Sequence, residues 1–271
     1  MKKDKTFNIN IMLKRVFEAL EETYKEKTPS LVFYFSKGVP AEMKGSSSIL
    51  YFVILKMLQH LIQKDTLDEI LISIEAPDEF LYKELVSFKI TNISIREEEL
   101  MPALIERLKD DLKLLDDATL TYSKDNGGSI ELATHLATSE LGCRRHYRMP
   151  SKDMLNKNIL LVVKGRNLAL SLTKMFKYFP MNVDISIGKY KSKFQINNYD
   201  LVLIEDTLLN GELENLITQA KEISKVQFAL IGAKNIDYDI NIPMIFLEKP
   251  VTQGSVYNLL VEVFNNKEIE E

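Results

Sequence analysis

A single cysteine, Cys143, stands in a chain of 271 residues. One thiol excludes an internal disulfide and a cysteine-built metal site, and it fits a reducing compartment. Histidine is almost as scarce. His60, His135 and His146 lie far apart and lack the spacing that ligands of one metal need, so no metal site is expected. No apolar run is long enough to span a bilayer, and none that could serve as a signal peptide follows Met1-Lys2-Lys3-Asp4-Lys5. The expectation is a cytoplasmic protein without membrane insertion. The net charge is -4 and the pI about 5.6. Nucleic-acid surfaces need clustered Lys and Arg to meet phosphates, so neither a basic face nor a nucleic-acid partner is expected.

What is there is ample core material. At 45% hydrophobic and 27% charged residues, the chain is long enough for two ordinary domains. The break falls near Met149-Pro150-Ser151-Lys152-Asp153, where a proline ends a strand-like run. This predicts domains over 1–150 and 155–271. In the first, Leu13, Val16, Phe17, Leu20 and Tyr24 share one helical face, as do Leu50, Ile54, Met57, Leu58, Leu61 and Ile62. Strands are predicted at Leu31 to Phe35, Glu69 to Ile74 and Val86 to Thr91, then a charged helix from about Glu97 to Leu115 and a hairpin-like pair after Asn126-Gly127-Gly128. Glu97, Glu98 and Glu99 read as acids in a solvated first turn. The expected form is a two-layer α/β sandwich, with helices on one face of a mixed sheet.

In the second, Asn158 to Val163, Leu201 to Ile204, Phe228 to Ile231 and Ile245 to Leu247 read as buried strands. Helical stripes run through Leu168, Leu172, Met175, Phe176 and Phe179, and through Val256, Leu259, Leu260 and Val263. Strict alternation of strand and helix predicts a doubly wound parallel sheet, whose function sits at the carboxyl ends of its strands. Lys189-Tyr190-Lys191-Ser192-Lys193 reads as a solvated basic loop.

Tyr199-Asp200-Leu201-Val202-Leu203-Ile204-Glu205, taken with Leu247-Glu248-Lys249-Pro250, resembles the central strand and the Lys-Pro corner of a two-component receiver domain. The resemblance covers nearly the whole second half and implies a flavodoxin-like sheet. It also implies a phosphate-accepting Asp where Glu205 stands, two Mg2+-holding acids where Val163 leads into Lys164 and Gly165, and a Ser or Thr where Ile231 leads into Gly232. Lys249 and Pro250 match the family, with Phe246 at its aromatic switch position. Asp206 falls one residue late, on the other face of a regular strand. Without metal ligands, and with a longer side chain at the acceptor position, phosphoryl transfer loses its charge neutralisation and its positioning. The pattern predicts an ion cluster in which Lys164 and Lys249 flank Glu205; the plainer alternative is a carboxylate pointing to solvent. From Ala233 to Pro243 no helical stripe is present, so the fourth helix of the family is expected to be shortened or lost.

In the first half, Phe7-Asn8-Ile9, Lys27, Val39-Pro40, Gly45, Gly127-Gly128-Ser129-Ile130, Leu141-Gly142-Cys143 and Met149-Pro150 together resemble the ATP-binding domain of hybrid sensor histidine kinases (GHKL or Bergerat type). The resemblance implies two Mg2+- and nucleotide-binding asparagines at the positions of Met57 and Leu61, and an adenine-reading Asp and glycines where Asn92-Ile93-Ser94-Ile95 stands. Apolar side chains cannot coordinate a hard cation, and no glycine occurs between Ile95 and Asn126 to form a phosphate lid. Loss of ATP and Mg2+ binding is expected. His60 reads as a structural histidine.

Together these features predict a non-catalytic two-component signalling protein. It would act as adaptor or inhibitor by docking on a histidine kinase, a response regulator or a second copy of itself. Two alternatives stand beside that reading. One is a competent kinase or receiver whose site residues have moved, with Asp206 as acceptor. The other is a small-ligand sensor using the former nucleotide pocket around Met57, Leu61 and Ile93.

Overall fold

The structure is a computed structural model that describes residues 5–25, 28–64, 69–91, 96–124, 128–138, 147–149, 151–232 and 244–265. The chain divides into two compact units, Met1–His146 and Tyr147–Glu271. Asn92, Ile93, Ser94, Cys143 and His146, and the segment 233–243 where the fourth helix is expected to be shortened or lost, lie outside the described residues.

The first unit is a seven-stranded mixed sheet with helices packed on it. Its elements run β1 (Lys5–Asn8), α1 (Ile9–Tyr24), β2 (Ser30–Phe35), β3 (Glu42–Gly45), α2 (Ser47–Lys64), β4 (Glu69–Glu75), β5 (Lys83–Thr91), α3 (Glu97–Leu112), β6 (Thr119–Ser123) and β7 (Ser129–Thr138). The strands order as β1-β3-β7-β5-β4-β2, with β6 also on β7. Among the described residues of this sheet, β2 and β4 run parallel and the other pairings are antiparallel. Period-2 alternation decides which face each side chain takes. Leu31, Phe33 and Phe35 pair in register with Ile70, Ile72 and Ile74, and these continue into Phe88, Ile90, Leu132 and Ile130, all buried. On the other face Ser73, Lys89 and Glu131 keep contact with solvent. Asn8 begins α1 by accepting bonds from the backbone N–H of Asn10 at 3.0 Å and Ile11 at 3.3 Å, and it donates to Glu42 on β3 at 2.7 Å. Gly38 is required where it stands, because a Cβ there would lie 1.8 Å from the Pro77 carbonyl oxygen. The expected hairpin differs in one respect. Its strands β6 and β7 lie on either side of Asn126-Gly127-Gly128 in the sequence instead of both following it, because Thr119–Ser123 carries enough alternation to pair with β7 across Ser129 to Ala133.

The second unit is a five-stranded, all-parallel sheet in the order β12-β11-β10-β8-β9. Its elements are β8 (Asn158–Val163), α4 (Arg166–Tyr178), β9 (Asn182–Ile187), β10 (Leu201–Glu205), α5 (Gly211–Ile223), β11 (Gln227–Gly232), β12 (Ile245–Glu248) and α6 (Gln253–Asn265). The three central strands are buried almost throughout, as a sheet covered on both faces requires. Numbered within the unit this is the flavodoxin-like order 2-1-3-4-5, with its switch point between β8 and β10.

Strict alternation of strand and helix fails between β9 and β10. There the chain crosses with a single 3-10 turn, Ile196–Asn198, and no α-helix. An apolar filling stands in for the helix: Ile196 is buried in the core, and Tyr190, Phe194 and Tyr199 pack against the buried cluster that includes Leu160, Val162, Val202 and Ile204. Polar bonds hold the crossing, with the Ser186 hydroxyl donating to the Lys189 carbonyl at 2.7 Å and the Tyr199 hydroxyl to Asp184 at 2.8 Å. Burial, then the Asp184 hydrogen bond and charge, push the Tyr199 hydroxyl up to about 12 from its ordinary 10.0. A raised pKa means the folded state holds the proton more tightly. The resulting stabilisation is complete below pH 10 and is lost as the pH rises through about 12. Urea denaturation of the full chain should show wild type losing more stability than Tyr199→Phe across that interval, the two curves running parallel below it.

Candidate functional site

Three strand ends converge at the carboxyl edge of the parallel sheet. Glu205 closes β10, the central strand, and is 7% exposed. A carboxylate this far from water must have its charge met by donors. One oxygen, Oε1, lies 2.7 Å from the Lys249 ammonium, delivered from just beyond β12. The other, Oε2, accepts the backbone N–H of Lys164 at 2.6 Å, from the end of β8. Glu205 therefore points inward, not to solvent.

The expected cluster of two lysines around Glu205 is corrected in one member. Lys164 contributes its amide while its side chain is exposed. The reason is geometric: β8 and β10 are adjacent and parallel, so the first N–H beyond β8 reaches the carboxylate before a long side chain could fold back. Gly165 is the N-cap of α4 and offers no side-chain donor. Gly232 ends β11 and accepts the backbone N–H of Lys249 at 2.8 Å, a bond that sets the height of the lysine over the pocket. Phe246 is 53% exposed and points away from the core. Asp206 begins a 3-10 turn; its Oδ1 accepts from the Thr207 N–H at 2.7 Å and lies 3.9 Å from the Lys249 ammonium. Among the described residues, no three His, Cys, Asp or Glu side chains form a metal-holding set. With Glu205 committed to Lys249 and Lys164, and Lys164 and Gly165 at the end of β8, these donors do not fit a divalent cation. A polar cleft of about 530 Å3 opens at the opposite end of the strands, lined by Asn158, Lys177, Asn182, Asp184, Asn198 and Tyr199 among others.

In the first unit Met57 is 1% and Leu61 0% exposed. They belong to a helix buried over much of its circumference, since Leu50, Val53, Ile54, Leu55 and Leu58 are buried as well. Helix α3 packs along α2 and buries Leu100, Met101, Leu104 and Leu108. Polar contacts fix the pair in antiparallel register: Lys56 with Asp111, Gln59 with Arg107, and His60 with the Leu100 backbone. Glu97, Glu98 and Glu99 occupy the first turn of α3. Apolar side chains such as Met57 and Leu61 offer no ligand for a hard cation. His135 lies on β7 with Nδ1 3.7 Å from Asp117, apart from either site.

The interhelical role of His60 carried no distinct sequence signal. It is 6% exposed and its Nε2 has no partner. Burial first, then the charges of Lys64 and Arg107, lower its pKa below the ordinary 6.5. A depressed pKa means the unfolded chain binds the proton more readily. Stability from this site is present above pH 6.5 and is lost as the pH falls below it. Thermal melts should show wild type weakening more than His60→Phe on acidification from pH 7 to about 5.

Removing one partner of a buried ion pair leaves the other uncompensated. Glu205→Ala and Lys249→Ala should each destabilise the chain by about 2–3 kcal/mol, toward the low side of the usual range because Lys249 keeps some solvent contact. In a double-mutant cycle by urea denaturation the double variant should lose less than the sum, with a coupling of about 1–3 kcal/mol.

No protein-family model matches the chain, and no curated protein matches it. Solved structures do. The full-length hybrid kinase ShkA, in complex with AMPPNP, superposes on 96% of this chain and 57% of its own, with a TM-score of 0.65 at 10% identity. The histidine kinase AdeS of Acinetobacter baumannii matches 51% of this chain and 68% of its own, with a TM-score of 0.37 at 14% identity. A CheY-like receiver domain from Methylobacillus flagellatus matches 40% of this chain and 98% of its own, with a TM-score of 0.31 at 14% identity. The overlap with ShkA carries the fold, and this chain spans little more than half of that protein. The chain joins a histidine-kinase-like ATPase fold to a receiver-like fold.

Proposed function

We propose that this chain is a non-catalytic two-component signalling protein, a pseudokinase fold followed by a pseudo-receiver, that works by binding an active histidine kinase or response regulator. The observation that carries the reading is the commitment of Glu205: both carboxylate oxygens are taken, one by Lys249 and one by the Lys164 amide. Phosphoryl transfer is mostly positioning and neutralisation of charge. A carboxylate already paired with the cation that would meet the phosphoryl group is a poor nucleophile, and the end of β8 supplies no acid to bring in a metal. The closed surface of α2 at Met57 and Leu61 supports the same reading for the nucleotide half. It also weighs against a ligand-sensor role, because Met57 and Leu61 are closed to solvent. What the two folds keep is their outer surface, so the function assigned is docking, as adaptor or inhibitor.

Asp206 favours one rival, because it sits one residue beyond Glu205 within 3.9 Å of the Lys249 ammonium. Three measurements on one preparation separate the readings. Incubation with a radiolabelled small phosphodonor and Mg2+ should leave the protein unlabelled, and MgATP should not shift its melting temperature. Calorimetric titration against each histidine kinase and response regulator of the source organism should find at least one partner. Label that disappears in Asp206→Asn would establish a relocated acceptor, a MgATP shift would establish a working nucleotide site, and a panel without any partner would overturn the docking role.

A further inference from the structure

Between residues 157 and 200, eight Lys and Arg stand against only two acids, Asp184 and Asp200, in a chain whose net charge is -4. Both acids are engaged locally. Asp200 accepts the Asn158 N–H at 2.9 Å and lies 3.6 Å from Lys157, and Asp184 accepts the Tyr199 hydroxyl. Five of the bases, Lys164, Arg166, Lys189, Lys191 and Lys193, are exposed and form no ion pair among the described residues. The fold gathers them. Val163 and Ile187 are register partners at the ends of β8 and β9, and the Gly188 N–H donates to the Val163 carbonyl at 2.9 Å. Lys164 and Lys189 thus leave the sheet from neighbouring strand ends. Gly188, at φ +80, turns the chain, and a bond from the Phe194 N–H to the Lys191 carbonyl at 3.0 Å turns it again. No basic face was expected from the overall charge; the tertiary structure makes a local one.

We infer that this basic edge, at the carboxyl ends of β8 and β9 beside the Glu205 pocket, is the docking surface for an acidic face of a partner protein. The inference rests on the protein-docking reading above and names the chemistry of the contact. Complementary charge chooses the occupant: unpaired surface cations are paired at little desolvation penalty by carboxylates on the partner, which speeds encounter and fixes orientation. Single-stranded nucleic acid is the weaker fit. Its binding adds base stacking to phosphate contacts, yet Tyr190 and Phe194 are turned against the core and the Tyr190 hydroxyl bonds the Phe194 carbonyl.

The test uses the full chain and a fluorescein-labelled polyglutamate peptide, read by anisotropy at low ionic strength. Wild type should bind, with affinity falling as salt rises. The triple variant Lys189→Glu, Lys191→Glu, Lys193→Glu should bind about tenfold or more weakly. An independent pair, Lys164→Glu with Arg166→Glu, should weaken binding in the same direction, and it places acids where the start of α4 tolerates them. A control of equal charge change, Lys5→Glu, Lys37→Glu, Lys225→Glu, should stay within about twofold of wild type. Equal loss in the control, absence of polyglutamate binding, or tighter binding of a labelled oligothymidylate by the same lysines would overturn the inference. So would sedimentation showing a dimer that the triple variant abolishes, because the occupant would then be a second copy. The peptide reads the surface without any kinase or regulator. An empty partner panel with intact polyglutamate binding refutes the signalling role alone, and the converse refutes this surface alone.

Discussion

The receiver-like unit depends on a buried carboxylate that has to be compensated. Glu205 ends the central strand of a sheet covered on both faces, where an unpaired charge would cost several kcal/mol. Its compensation draws on three strands at once: its own, β8 through the Lys164 amide, and the end of β12 through the Lys249 ammonium. The Gly232 carbonyl, at the end of β11, holds the lysine backbone in place. The Glu205 carboxylate thus fastens the carboxyl edge of the sheet. The same geometry gives Lys249 an internal partner in Glu205 and sets Asp206 within 3.9 Å of the same ammonium.

Helix α2 plays the corresponding part in the kinase-like unit by a different force. It is held by apolar burial, with the sheet on one side and α3 along another. Met57 and Leu61 fall inside that burial. The polar contacts Lys56–Asp111 and Gln59–Arg107 lie nearer the rim and set the register of the two helices, a role suited to partly exposed pairs that contribute little to stability. His60 is the weak point of the seal, being buried with one ring nitrogen unpartnered. Burial encloses Met57 and Leu61 in one unit, and ion pairing holds Glu205 in the other.

Much of the secondary structure was legible because periodicity reports directly on which face a side chain takes. The strands Ser30–Phe35, Glu69–Glu75 and Asn158–Val163 and the helix Glu97–Leu112 lie within a few residues of where apolar spacing puts them. Strand β9 was harder to read, because an edge strand with Asn182, Asp184 and Ser186 on one face lacks the continuous apolar run of its neighbours. The crossing from β9 to β10 misled for a related reason: Tyr190, Phe194, Ile196 and Tyr199 have apolar content without helical spacing, and only packing shows that they replace a helix. Of the acceptor site, Glu205 and Lys249 could be named from the chain. The Lys164 amide could not, since a backbone N–H has no sequence signature.

The sequence by itself determined the residue types: a Glu at the end of the central strand, a Lys before the last proline turn, Met and Leu on the helix that follows β3, and eight bases against two acids in one stretch of the second half. These follow from one-dimensional order and local periodicity alone. The tertiary structure decided which of these groups meet. Parallel register brings the ends of β8, β10 and β12 together around Glu205, turns the Lys164 side chain outward, and sets two distant basic segments side by side on neighbouring strands. Contacts between residues tens of positions apart depend on strand order and register, and no local property of the chain encodes those.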